Sequence, residues 1–190
     1  MASPTREKIV TAAAERLHAL GYSACGIQEI TDTAGVPKGS FYNYFKTKES
    51  LAIEVLGNYV ASSKREILDD PSLSPLERIR AHFQFFIDRY QRNGFEKGCL
   101  IGNFSAESSD STPLLREALA ESLSTWTEQI AGVIRQGQDA GEIKPGIDPF
   151  EVARFLINSW EGAVLRMKLT NSRRALDDFF SIVMTLLEKA

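Results

Sequence analysis

Apolar residues recur along this chain at intervals of three and four and never alternate in twos over a strand's length. That is the period of helices with one buried face, so the pattern predicts an all-α protein of about nine helices. The first spans 5–20, with Thr5 as N-cap, Ile9, Ala13, Leu17 and Leu20 on its stripe, and Gly21 ending it. The second covers 27–34 behind Gly26, and a short third covers 38–45, with Phe41 and Phe45 four apart on one face. Thr47 caps a fourth, whose stripe of Leu51, Val55, Leu56 and Tyr59 fades near 69–71. Ser74-Pro75-Leu76-Glu77 opens a fifth through N-cap serine, proline at the first position and a capping box, and Asn93-Gly94 stops it. A sixth is expected over 99–107, and a seventh runs from Pro113 until Gly141. Asp148-Pro149-Phe150-Glu151 repeats the box and proline signal for an eighth, to about Lys168, and Asn171-Ser172 breaks the chain and caps a ninth from Arg173.

The segment 35–48 carries the clearest functional signal. Gly35 tolerates a positive φ and Pro37 fixes its own, so a turn separates the second helix from the third. Together they read as a helix-turn-helix. Phe41 and Phe45 hold the short helix down, which leaves Lys38, Ser40, Tyr42, Asn43 and Tyr44 to face outward. Such a surface suits DNA: short polar side chains reach base edges, a lysine reaches guanine or phosphate, and tyrosine hydroxyls meet phosphates.

Composition narrows the picture. With 190 residues and a net charge of −3, the chain does not coat nucleic acid indiscriminately. Residues 1–50 hold six Lys/Arg against five Asp/Glu, and the remainder 16 against 20, so a near-neutral head precedes an acidic body. There is no apolar run long enough to span a membrane and no export leader, and the two cysteines form no disulfide framework, so a cytoplasmic protein is expected. Cys25, Cys99 and the two histidines lack metal-ligand spacing, and no metal or cofactor is expected.

The chain resembles the TetR (tetracycline-repressor) family of bacterial regulators. The resemblance rests on Arg6-Glu7-Lys8-Ile9, Gly21-Tyr22, Ile30, Ala34-Gly35-Val36 and above all 38–49, Lys-Gly-Ser-Phe-Tyr-Asn-Tyr-Phe-Lys-Thr-Lys-Glu. It implies a DNA-binding domain at 1–47 and a ligand-binding and dimerisation domain at 48–190. It also implies a homodimer through the eighth and ninth helices, a palindromic double-stranded operator, and repression relieved when a small-molecule inducer moves the fourth helix. By the same resemblance, Gln28 and Lys48 join Lys38, Gly39, Ser40, Tyr42, Asn43 and Tyr44 as DNA contacts. Two departures stand out: Gly26 replaces the family's hydroxyl cap, and Ser50 stands where an acidic residue often closes a capping box.

The body offers candidates for ligand contact where large or polar residues interrupt the stripes: Phe86, Tyr90, Asn103, Phe104, Glu107, Trp126 and Trp160, with Asn158 and Glu161 beside the last. Cys99 follows Lys97-Gly98 at the start of the sixth helix, where a helix dipole and a lysine would favour the thiolate. Two readings of it stand, an electrophile or oxidant sensor, as the resemblance to one branch of the family implies, and an inert packing residue. An enzyme working through Cys99 finds no His or Asp beside it in sequence. Beyond their main stripes, the last two helices carry further apolar residues, Phe180, Ile182 and Leu187 among them, which calls for a partner subunit.

Overall fold

The computed structural model describes residues 3–108 and 111–189. It contains α1 (Pro4–Leu20), α2 (Ile27–Ala34), a 3₁₀ helix (Lys38–Asn43), α3 (Lys48–Ala61), a second 3₁₀ helix (Arg65–Asp69), α4 (Pro75–Arg92), α5 (Leu100–Glu107), α6 (Pro113–Asp139), α7 (Pro149–Thr170) and α8 (Arg174–Leu187). Among the described residues there is no strand, only an antiparallel bridge between Ile143 and Glu188. The all-α expectation holds, with the eighth and ninth expected helices appearing as α7 and α8; Asn171 ends α7 in a left-handed conformation, and the N-cap of α8 is Arg173 rather than Asn171-Ser172.

Three local expectations change. Helix α1 starts at Pro4, which suits a first helical position, and the capping residue is Ser3 rather than Thr5. The segment expected as a third α-helix is a 3₁₀ helix over Lys38–Asn43. Its Gly, Ser, Asn and aromatic residues are weak α-formers, and a short run tolerates the tighter winding. The fourth expected helix stops at Ala61: Ser62 turns its hydroxyl onto the Tyr59 carbonyl, and Lys64 adopts φ 52°.

Ser74 and Glu77 form the expected reciprocal box on α4, whereas on α7 only half of the expected box forms: Asp148 Oδ1 accepts the Glu151 N–H. On α3 the box closes between Thr47 and Ser50, so a serine hydroxyl does the work of the missing carboxylate.

Contacts divide the chain into two compact units. One joins the described residues up to Ser62 to Leu100–Glu121. Its core is built from Ile9, Ala13 and Leu17 of α1, Ile30 of α2, Phe41, Leu51 of α3, and Phe104 of α5, all fully buried. The other joins Ser63–Cys99 to the described residues from Ser122 onward. Its core gathers Ile79, Phe83 and Phe86 of α4, Trp126 and Ile130 of α6, Trp160 and Met167 of α7, and Leu176 and Phe179 of α8. Among the described residues, no helix is long and apolar enough to cross a membrane, and no group of three or more His, Cys, Asp or Glu is placed to hold a metal.

Candidate nucleic-acid interface and effector region

The helix-turn-helix closes around Gly35. It adopts φ 65°, ψ 37°, and the Val36 N–H returns to Thr31 O at 3.0 Å, which ends α2 with a left-handed residue. Pro37, at φ −58°, turns the chain into the 3₁₀ helix, and the Ser40 N–H bonds to Pro37 O at 2.9 Å. Phe41 is fully buried with its ring 5.7 Å from that of Phe45, so two aromatic anchors fix the segment from below. Lys38, Gly39, Tyr42 and Asn43 are exposed on its outer side and Ser40 is half-buried. Tyr42 is 57% exposed, unusual for an aromatic with no role outside the core.

The other expected DNA contacts are more engaged. Tyr44 is exposed, but its hydroxyl lies 2.9 Å from that of Ser3. Gln28 is exposed on α2 and donates to Asp32 Oδ1 at 2.7 Å. Lys48 is half-buried, with its ammonium donating to Tyr22 O at 2.7 Å and Cys25 O at 3.0 Å, and lying 4.2 Å from the Tyr22 ring centroid. Arg6 and Arg16 are paired with Glu54 and Glu29. Lys46, exposed beside the aromatic anchor, is a cation that sequence reasoning left out, although its place between Phe45 and Thr47 already put it off the buried face.

The second unit brings four of the expected ligand residues together. The Phe86 ring lies 5.8 Å from Trp126, 6.1 Å from Trp160 and 6.3 Å from Tyr90, and Tyr90 stacks on Trp160 at 6.1 Å. His82 joins this cluster and Glu161 follows Trp160 on α7, and both were legible only as irregularities in an apolar stripe. His82, one turn before Phe86, is fully buried and accepts the Trp126 indole N–H on Nε2 at 2.8 Å. Burial, with Arg65 second, lowers its pKa to about 3, so it is neutral and carries its proton on Nδ1. Glu161 is half-buried, but its Oε1 has no contact with solvent and no partner within the protein. Burial raises its pKa to about 7 against the opposing effect of a hydrogen bond with Cys99. The Trp160 indole N–H likewise has no partner within the protein.

Other expected ligand residues are placed differently. Asn103, Phe104 and Glu107 belong to the first unit: Phe104 packs on Tyr22, and Glu107 accepts the Ser23 N–H. Asn158 is exposed on α7. Cys99 is buried, just before the first residue of α5, and forms a hydrogen bond with the Glu161 carboxyl. An apolar cavity of about 360 Å³, between the end of α6 and the start of α7, includes none of the expected residues.

Comparison with known proteins decides the family. The family described as "Bacterial regulatory proteins, tetR family" matches residues 9–55, and "Tetracyclin repressor-like, C-terminal domain" matches residues 75–183. The chain belongs to the TetR family. This TetR-family chain is 37% identical over 188 residues to the HTH-type transcriptional repressor DhaR of Mycobacterium sp. (strain GP1), covering 97% of this chain and 93% of that one. It is also 37% identical over 171 residues to the transcriptional regulator AcuR of Cereibacter sphaeroides, covering 88% of this chain and 78% of the relative. A solved structure of a regulatory protein TetR from Rhodobacter sphaeroides superposes with a TM-score of 0.89 at 34% identity, covering 97% of this chain and all of that one. The protein is therefore a ligand-responsive, DNA-binding transcriptional regulator, and TetR-family regulators bind operators and dimerise.

Proposed function

We propose that the protein is a homodimeric repressor that grips a palindromic operator through residues 1–47 and releases it when a small molecule enters the body formed by 48–190. One observation carries the DNA half: Lys38, Gly39, Tyr42 and Asn43 stand exposed on a segment locked from below by Phe41 and Phe45. Asn43 and Ser40 read base edges, Lys38 takes guanine or phosphate, and Tyr42 and Tyr44 bring hydroxyls to the backbone. Gln28 retains part of its amide for a phosphate, and Lys48 contributes its remaining N–H. DhaR, similar along nearly its whole length, is named a repressor, which supports that sense of regulation.

Dimerisation uses α7 and α8, which leave Phe155, Leu165, Leu169, Ile182 and Leu186 exposed. An apolar face of this kind is what an obligate partner covers. Effector recognition falls to Phe86, Tyr90, Trp126 and Trp160 with His82 and Glu161. Buried N–H groups of Trp160 and His82 without protein partners suit an acceptor oxygen on an otherwise flat or apolar molecule.

Selection of bound duplexes from a random pool tests the proposal. The expected result is a two-fold symmetric sequence with half-site centres about 34–36 Å apart, or a multiple of that. Selection of no sequence, or of an asymmetric single site, would overturn it.

A further inference from the structure

Helix α5 holds the loop between α1 and α2 with its own side chains. Glu107, its last residue, accepts the Ser23 N–H on Oε2 at 2.6 Å. Its other oxygen fills the space that a Cβ on Gly21 would need, and Gly21 adopts φ +85°. One turn earlier, the buried Phe104 meets the ring of Tyr22 edge-on at 6.1 Å. The loop is held from its carbonyl side as well, where Lys48 at the start of α3 donates to Tyr22 O and Cys25 O. A carboxylate on one loop N–H and an ammonium on two of its carbonyls fix it from two helices at once. The start of α3 is itself tied down, because Glu49 accepts the Leu115 N–H at 2.9 Å in the first turn of α6, where a helix favours an anion.

Helix α2 follows this loop directly, and its N-cap is Gly26, which makes no side-chain capping bond, so the cap itself does not set the angle at which the chain enters the helix. That angle passes to the 3₁₀ helix through the tight turn at Gly35. We infer that Glu107 is a positioning residue for operator binding, holding the α1–α2 loop so that α5 governs the entry of α2 by a route separate from α3. The inference rests on the proposed reading of Lys38–Asn43 as the operator-contacting surface. It also gives Glu107 a different task from ligand contact, since its carboxylate is already committed to the loop.

The test uses the full chain and the duplex that the wild-type protein selects. Operator affinity by fluorescence anisotropy is measured beside amide hydrogen exchange over 21–28 for wild type, E107A and E107Q. E107A should weaken operator binding about tenfold or more, the worth of one hydrogen bond to a charged acceptor, and speed exchange in the loop. E107Q, which keeps an acceptor oxygen in place, should recover most of both. Because coupling is reciprocal, operator should slow amide exchange within α5 of the wild type and not of E107A, a readout that mere loss of stability would not move. If E107A does not fold, E107D, one methylene short of Ser23, carries the same comparison. Wild-type affinity in a folded E107A or E107D would overturn this inference alone, as would α5 exchange indifferent to operator. Failure of the wild type to select any duplex would overturn the proposed function and this inference with it.

Discussion

Trp126 donates its indole N–H to Nε2 of His82 across 2.8 Å, and neither side chain reaches solvent. An imidazole that accepts on Nε2 is neutral, and burial has lowered its pKa from 6.5 to about 3. Below 6.5 the unfolded chain takes up a proton that the folded one refuses, so His82 costs stability progressively as pH falls from 6.5 towards 3. His82→Phe should flatten that part of the stability–pH curve. At neutral pH it should cost about 1–3 kcal/mol, because the Trp126 N–H loses its acceptor. Urea denaturation from mild acid to neutrality measures both effects.

Glu161 works in the opposite direction. Its folded pKa is raised from 4.5 to about 7, so over that interval the unfolded chain has lost a proton that the folded chain keeps. Stability therefore falls as pH rises through the window, and the full penalty is present above it. Glu161→Gln should remove the decline and stabilise the protein at pH 8 relative to wild type, by on the order of 3 kcal/mol at most. A wild-type and E161Q pair with parallel stability–pH profiles would show that the carboxyl is solvated and ionised throughout.

The start of α4 and the turn of the helix-turn-helix were legible in the sequence because local chemistry writes them. Ser74-Pro75-Leu76-Glu77 and Gly35-Val36-Pro37 each set a backbone conformation within four residues. The roles of Glu107 and Lys48 were not legible. Glu107 meets Ser23 across 84 positions and Lys48 meets Tyr22 across 26, and an isolated charge on a helix gives no sign of which distant backbone group it will find. The aromatic cluster was half legible: Phe86, Tyr90, Trp126 and Trp160 stood out by size, whereas the tautomer of His82 follows only from the indole above it.

The exposed leucines of α7 and α8 give a prediction about assembly. Leu169 is 79% exposed and Leu165 60%, one turn apart on a helix whose opposite face is core. Leu165→Arg should leave the fold intact, since that side chain touches little within its own subunit, and should split the dimer in sedimentation equilibrium. Operator affinity should then fall by about two orders of magnitude or more, because the second head no longer binds at high effective concentration. A variant that stays dimeric would move the interface away from α7.

Lys38 and Lys48 are both cations of the head, but they are held differently and should fail differently. Lys38 is exposed on the 3₁₀ helix, so Lys38→Ala should change stability by less than about 0.5 kcal/mol. If it neutralises one phosphate in each subunit, the slope of log affinity against log salt should fall by about 0.9 per contact. Lys48 spends two N–H bonds on Tyr22 and Cys25 and rests on the Tyr22 ring. Lys48→Ala should therefore cost about 1–3 kcal/mol of stability by freeing two carbonyls of the α1–α2 loop. It should weaken every DNA sequence alike, with a smaller change in salt slope than Lys38→Ala produces. Thermal melts and salt titrations on operator and scrambled duplex separate the two. If Lys48→Ala instead left stability unchanged and lowered the slope by a full contact, its ammonium would belong to phosphate in solution rather than to the loop.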